Sequence, residues 1–431
     1  MTETQNSLSP QAENKLQKYL QLGVLIIAAG VIYPMLYLRQ NYQTSMEHVF
    51  GITPTQLGYL YSILGIFFFI CYLPSGWLAD RFLPRKLISF SLMGTGLLGV
   101  WYAQFPGFNS LLIIFSGWGI TAGLTFWGAL IKQVNLISSE DEQGRFYGAL
   151  DGGRGLVEAF LATIAVSVFA YLNSKSTNND VASGLRSVIY IYAITCIIVG
   201  ILVYLLKGKE TKVQKADKDT GNSSNLWQDL KSIALIKELW LIALIIFCGY
   251  QQFWATYLFS GYMQEGGFGL SAVAAGFIVA IKLWMRPIGG IGGGILGDKF
   301  SNISVLVVVM LMSSVSLLAL SMVSALHSVY MIIFLVVFCG LLTYVIRGIY
   351  WAIFDLCHVP NHVKGLAIGV ISVIAYTPDA FLPAISGYLS DKYPGLPGYR
   401  IFFVYIAIMG LIGAISAFTL KRISSKRGSI K

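Results

Sequence analysis

Five cations and several acids stand inside stretches of sequence that are otherwise apolar, and their spacing is that of helix faces. Asp151, Arg154 and Glu158 fall at i, i+3 and i+7, so at 100° per residue they share a face about 60° wide. Lys282 and Arg286 lie one turn apart, followed by Pro287 and the glycines between Gly289 and Gly294. Arg347 and Tyr350 are three apart with Asp355 beyond them, Asp379 stands between Pro378 and Pro383, and Arg39 ends an earlier apolar run. A charged side chain at the middle of a membrane helix costs roughly 2.5–3.5 kcal/mol to insert, so a cluster of them calls for mutual pairing or a ligand. Two chemistries follow. Arg39, Arg154, Arg286 and Arg347 can replace the lost hydration of an anion with fixed donors. The carboxylates Asp151, Glu158, Asp355 and Asp379 can accept a coupling proton or pair with the guanidinium groups. The competing readings are a self-contained network of Arg154 with Asp151 and Glu158, and an Arg39 that snorkels to the membrane surface. Tyr33, Tyr37, Tyr147, Gln251, Gln252, Trp254 and Tyr350 are available to line a hydrogen-bonding cavity, set against their use as packing or interfacial residues.

The elements that carry these residues are long apolar runs bounded by charges, Gly, Pro or Asn. They predict helices at 19–40, 57–79, 87–105, 110–133, 147–171 and 187–206, then at 239–261, 271–297, 302–324, 328–355, 365–389 and 399–420. Each is close to the roughly 20 residues that cross a hydrocarbon core. The chain is 56% hydrophobic and only 12% charged, against about 25% charged in soluble domains, which excludes water as its main solvent. The predicted fold is all-α and integral to the membrane. It has a tail at 1–18, six-helix bundles at 19–206 and 237–420, a charged linker at 207–236 and a second tail at 421–431. The linker's end, from Asn225 to Leu239, is expected to hold a helix on the membrane surface.

Charge placement supplies the topology. With the N-terminus inside, 21 of the 30 Lys and Arg residues fall in cytoplasmic segments, counting Lys132 at a cytoplasmic helix end, Lys175, Arg186, Lys392 and Arg400 fall in external loops or at their edges, and the rest lie within helices. That bias is the positive-inside pattern, and it accounts for the net charge of +10 without nucleic acid. Both termini are expected in the cytoplasm and the protein in the inner or plasma membrane. Cys71, Cys196, Cys248, Cys339 and Cys357 have no CxxC spacing and read as small buried residues rather than metal ligands. With no GK[ST] loop, HExxH or Ser/His/Asp arrangement on a catalytic fold, neither an enzyme, a cofactor nor ATP-driven transport is expected.

The halves repeat. Gly76-Trp77-Leu78-Ala79-Asp80-Arg81-Phe82 and Gly294-Ile295-Leu296-Gly297-Asp298-Lys299-Phe300 are offset by 218 residues, and Gly144-Arg145-Phe146-Tyr147-Gly148 and Gly365-Leu366-Ala367-Ile368-Gly369 by 221. Duplicated bundles of this kind enclose a site near the bilayer midplane.

Over nearly its whole length the chain resembles the major facilitator superfamily, through its twelve helices, central loop and the acidic-basic motif after the second and eighth helices. Asp80-Arg81-Phe82-Leu83-Pro84-Arg85 is similar to the version found in the organophosphate:phosphate antiporter branch. The resemblance implies a conformational latch at Asp80, Arg81, Arg85, Asp298 and Lys299, with Asp80 accepting from the start of a neighbouring helix. Tyr37-Leu38-Arg39-Gln40-Asn41-Tyr42 is similar to the branch's segment whose Arg binds the substrate phosphate, which implies that role for Arg39. Where the branch has its second clamp Arg this chain has Gln252, and the branch's substrate-contacting His falls near Arg154. Arg286-Pro287-Ile288-Gly289-Gly290 is similar to nitrate/nitrite carriers, whose partner Arg in the second helix has no counterpart here.

The expected function is secondary transport of a small organic anion, such as a sugar acid, sugar phosphate, sulfonate or carboxylate, by a monomer coupled to protons or a counter-anion. The alternatives are an inorganic oxyanion carrier of the nitrate type and a membrane anion receptor without flux.

Overall fold

The computed structural model describes residues 10–138, 142–175, 181–205, 226–324, 328–360 and 363–426. Among them the chain is almost wholly helical and no strand occurs. The long helices are α1 (Gln17–Phe50), α2 (Pro54–Arg81), α3 (Pro84–Tyr102), α4 (Phe108–Ile137), α5 (Gln143–Lys175) and α6 (Val181–Leu205). They continue with α7 (Lys237–Glu265), α8 (Ala272–Phe300), α9 (Asn302–Met322), α10 (Val329–Cys357), α11 (Lys364–Lys392) and α12 (Leu396–Lys426). Eleven helices among the described residues are long and apolar enough to cross a membrane. The twelfth, α3, has 19 residues, a rise of about 28 Å against a core of about 30 Å, and its apolarity is diluted by Arg85 and Lys86 in the first turn. A short helix, Leu226–Ala234, precedes α7. The charged linker residues 206–225 and the chain ends 1–9 and 427–431 lie outside the described residues.

Helices α1–α6 enclose one continuous apolar core running from Leu22 to Val203. Helices α7–α12 enclose two others, one of which also takes in Ala159 and Ala162 of α5. The result is two six-helix bundles. Each bundle's first helix is broken near its middle. In α1 the helix interrupts between Leu36 and Arg39, after Pro34, whose ring removes a backbone donor and clashes with the preceding turn. In α7 the turn Thr256–Leu258 tightens to a 3-10 helix. The two breaks meet, and the rings of Tyr37 and Tyr257 stack at 4.9 Å and 4°.

On the membrane face opposite the described chain ends, which we call the far face, the bundles are closed against each other. The outer halves of α2 and α11 touch backbone to backbone: a Cβ on Gly58 or Gly65 would run into the main chain of Pro383 or Asp379, and one on Gly387 into that of Pro54. Small residues allow this approach in the way they do between membrane helices generally. The hydroxyl of Ser62 accepts from the Ala384 amide at 3.1 Å, and Asp391 accepts from the Thr55 amide at 2.9 Å. Gly65→Val is therefore expected to disfavour this closed seam by about 1–3 kcal/mol. The measurement is the rate at which a membrane-impermeant maleimide reaches a cysteine placed at Asn41, which should rise several-fold; an unchanged rate would mean that the seam does not depend on that contact.

On the face that holds the described chain ends, the terminal face, the pairing residues stay within their own bundles. Asp80 pairs with Lys132 of α4 at 2.8 Å, Lys18 with Glu142, and Asp355 with Lys364 at 3.3 Å. Arg81 lies over the Trp77 ring at 4.1 Å, Arg85 is half-buried, and Asp298 and Lys299 are exposed. Asp80 was expected to accept from the start of a neighbouring helix. It accepts instead from a lysine of α4, because the ammonium of Lys132 reaches both the Asp80 carboxylate and the Ala79 carbonyl.

Candidate functional site

A cavity of about 470 Å³ lies between the bundles, lined by residues of α1, α2, α4, α5, α6, α7, α8, α10 and α11. It reaches from the stacked Tyr37 and Tyr257 to Ile368 and Gly369 in the first turns of α11, so it extends towards the terminal face and is roofed on the far one. A π-helical turn, Thr121–Phe126, widens α4 where Ala122 and Gly123 meet the cavity; such turns recur at functional positions.

Five of the charged residues picked out in the sequence meet on its wall: Arg154, Glu158, Arg286, Arg347 and Asp379. The face shared by Asp151, Arg154 and Glu158 is turned towards α8. Glu158 accepts from Arg154 Nε at 2.9 Å and from Arg286 Nη1 at 2.5 Å, and Asp151 accepts from Arg286 Nη2 at 3.1 Å. The bridge therefore joins the two bundles. Arg154, Glu158 and Arg286 are each only 8% exposed, and charge-assisted bonds of this kind offset the cost of burying both signs. Arg154 also lies 4.2 Å from the centroid of the Tyr33 ring, a cation–π contact.

Arg347 differs. Its guanidinium lies over the Phe253 ring at 4.2 Å and 6.0 Å from that of Tyr250, and among the described residues no carboxylate pairs with it. Asp379 accepts from the hydroxyl of Tyr250 at 2.8 and 2.9 Å and likewise has no cation in ion-pair contact among those residues. Tyr250 thus stands between an unpaired guanidinium and an unpaired carboxylate.

Other predicted residues are held away from the cavity. Arg39 is 2% exposed, sealed into the far seam by bonds to Gln43 and Ser386 and by the rings of Tyr61 and Trp254. Gln252 is turned into its own bundle, donating to the Met310 carbonyl and the Ser314 hydroxyl. Tyr350 is buried, its hydroxyl 3.4 Å from that of Tyr376, and Asp355 is exposed at the terminal face. Trp254, Gln251 and Tyr147 also lie off the lining. Lys282, fully buried, spends its ammonium on neutral oxygens, Gln40 Oε1 at 3.0 Å and Thr256 Oγ1 at 3.2 Å.

The residues not anticipated as cavity-lining are mostly aromatic: Tyr72, Trp127, Tyr250, Tyr257, Tyr344, Trp351 and Tyr376. Tyr250, Phe253 and Tyr257 repeat the i, i+3, i+7 spacing of the α5 charges, a stripe that would have shown them as one face.

The Major Facilitator Superfamily model matches residues 20–378. The chain is 30% identical over 411 residues to the inner membrane protein YqcE of Escherichia coli (strain K12), covering 94% of this chain and 95% of that one. More distant relatives include the probable galactarate/D-glucarate transporter GudP of Bacillus subtilis (strain 168), 22% identical over 68% of this chain and 67% of its own. Another is the probable nitrate transporter NarT of Staphylococcus haemolyticus (strain JCSC1435), 24% identical over 92% of this chain and 94% of its own. In fold it is similar to a bacterial homologue of the human lysosomal transporter Spinster, solved in an inward-facing, unoccupied conformation, with a TM-score of 0.75, 15% identity and coverage of 97% of this chain and 99% of that one. Twelve helices in two bundles around a central cavity, a family match over most of the chain and a full-length relative together lead to one conclusion: the chain belongs to the Major Facilitator Superfamily and is a multi-pass membrane transporter.

Proposed function

We propose that this transporter carries a small organic anion by alternating access, with the bundles 19–206 and 237–420 rocking as units about the central cavity. The observation that carries the reading is Arg347, a guanidinium facing the cavity with no carboxylate partner among the described residues. An anion's lost hydration is replaced there by fixed donors. Asp379, which accepts from the Tyr250 hydroxyl, faces the same cavity, and the coupling proton is assigned to a carboxylate of the bridge, Glu158 or Asp151. Arg154, Glu158 and Arg286 bridge the bundles, and Arg39 and Gln40 belong to the far seam that must part for the cavity to face the other side.

An organic cargo is favoured over an inorganic oxyanion by the lining. Nine tyrosines face a cavity of about 470 Å³, a volume that an inorganic oxyanion would leave mostly to water and that suits a drug- or sugar-sized ligand. The nitrate reading is supported by the relative NarT, the organic-acid reading by GudP. The excess of Lys and Arg in alternate loops supports cytoplasmic termini, which would make the present form inward-open. The chain is proposed to work as a monomer.

Counterflow in proteoliposomes tests the proposal, with labelled D-gluconate, isethionate and nitrate exchanged against an internal pool. Saturable exchange of an organic anion is expected. Saturable binding with no flux under any gradient would leave a receptor instead of a carrier, and exchange of nitrate alone would leave the inorganic alternative.

A further inference from the structure

The cavity region holds several cations, but nearly all of them are already committed. Arg154 and Arg286 are bound by Glu158 and Asp151 through contacts of 2.5–3.1 Å, so two positive and two negative charges cancel in a bridge that also ties α5 to α8. The ammonium of Lys282 is capped by Gln40 and Thr256 and is fully buried. Arg39 is enclosed in the far seam and does not reach the lining. Arg347 alone, among the described cations of the lining, offers its guanidinium to the cavity without a carboxylate.

The next uncommitted charge has the opposite sign. Asp379 lines the same cavity and is bound to the hydroxyl of Tyr250, whose ring centre lies 6.0 Å from the Arg347 guanidinium carbon. A cargo anchored by one acid group at Arg347 would place its remainder beside tyrosine hydroxyls and, nearby, this carboxylate. A second acid group would find no other free cation among the described residues of the lining and would meet a like charge in a medium of low dielectric, the repulsive element by which sites reject near-relatives of their ligand.

Resting on the anion-carrier reading above, we infer that the cargo bears a single anionic group on an uncharged polar body. Arg347 is its anchor and Asp379 excludes dianions such as dicarboxylates and phosphate monoesters. A monocarboxylate or monosulfonate with hydroxyl groups fits both poles: the acid faces Arg347, and its hydroxyls can donate to Asp379 and accept from the tyrosines.

Calorimetric titration of the full-length protein in nanodiscs tests this with four compounds on one six-carbon skeleton: D-gluconate, D-glucarate, D-glucose 6-phosphate and sorbitol. Gluconate is expected to bind at least about tenfold more tightly than either dianion, a difference of about 1.4 kcal/mol, and sorbitol more weakly than gluconate. Asp379→Asn should narrow the gap between glucarate and gluconate, while Arg347→Gln should weaken gluconate binding at least about tenfold. Equal or tighter binding of glucarate or glucose 6-phosphate by the unaltered protein would overturn the inference and leave the anion-carrier reading intact. Tightest binding of sorbitol, or binding of none of the acids by protein that melts cooperatively, would overturn both. Because the selectivity of the unaltered protein decides the matter, a variant that fails to fold does not remove the test.

Discussion

Arg347→Gln is expected to weaken binding of a gluconate-type monoanion by roughly 10- to 150-fold, the 1.5–3 kcal/mol that a hydrogen bond to a charged group contributes, and to bring its transport to background. The size of the effect follows from the surroundings of the guanidinium. It lies over the Phe253 ring at 4.2 Å, which limits the conformational freedom lost on binding, and among the described residues no acid pairs with it to compete with the cargo. Arg347→Lys is expected to recover little, because an ammonium keeps the charge but not the planar fork that meets a carboxylate with two bonds. Measured affinities of the two variants within about twofold of the unaltered protein would remove Arg347 from the site.

Glu158→Gln is expected to have the largest effect on the bridge between bundles. Glu158 is the only acid in the set that accepts from both Arg154 and Arg286. Its loss leaves two nearly buried guanidinium groups with Asp151 alone, and breaking a buried pair of this kind costs about 3–5 kcal/mol. Arg286→Gln should cost less, because Glu158 retains Arg154. The double variant Glu158→Gln/Arg286→Gln should recover part of the stability lost by Glu158→Gln, since it removes the unpaired charge as well. Thermal unfolding in detergent or nanodiscs orders the three. A Glu158→Gln variant as stable as the unaltered protein would show that the bridge contributes nothing to the closed arrangement.

These expectations rest on features of unequal visibility in the sequence. Hydropathy located the helices because a span must be apolar over about 20 residues whatever its neighbours are, and repetition of the Gly-x-x-x-Asp motif marked the two bundles. Hydropathy failed at the end of α1. The prediction stopped at residue 40, but the span runs to Phe50, because Arg39, Gln40, Asn41 and Gln43 are buried against the other bundle instead of facing water. Asn41 donates to the Gly276 carbonyl, and Lys282 donates to Gln40. Polarity that is satisfied across an interface looks, in sequence, the same as polarity satisfied by solvent.

The site divides in the same way. The i, i+3, i+7 spacing put Asp151, Arg154 and Glu158 on one face without a structure, since that geometry is internal to one helix. Which of them pairs with which cation is a property of two helices. Arg286 and Arg347 are both mid-membrane arginines of the second bundle and look alike in sequence; only the approach of α5 to α8 commits the first and leaves the second free. The same holds for Gln252, which aligns with a clamp residue of a similar branch but is turned to Ser314 and Met310, one helical face away from the cavity.

The central claim is active carriage of an anion through the cavity that Arg347 serves, and accumulation against a gradient tests it most directly. Proteoliposomes with an outside-acid pH gradient are offered labelled D-gluconate, with the Arg347→Gln protein and labelled sorbitol as controls. The expected result is gluconate accumulated above its outside concentration, collapsed by a protonophore and absent for the variant and for sorbitol. Sorbitol accumulated as well as gluconate, or gluconate accumulated equally by the Arg347→Gln protein, would contradict the claim.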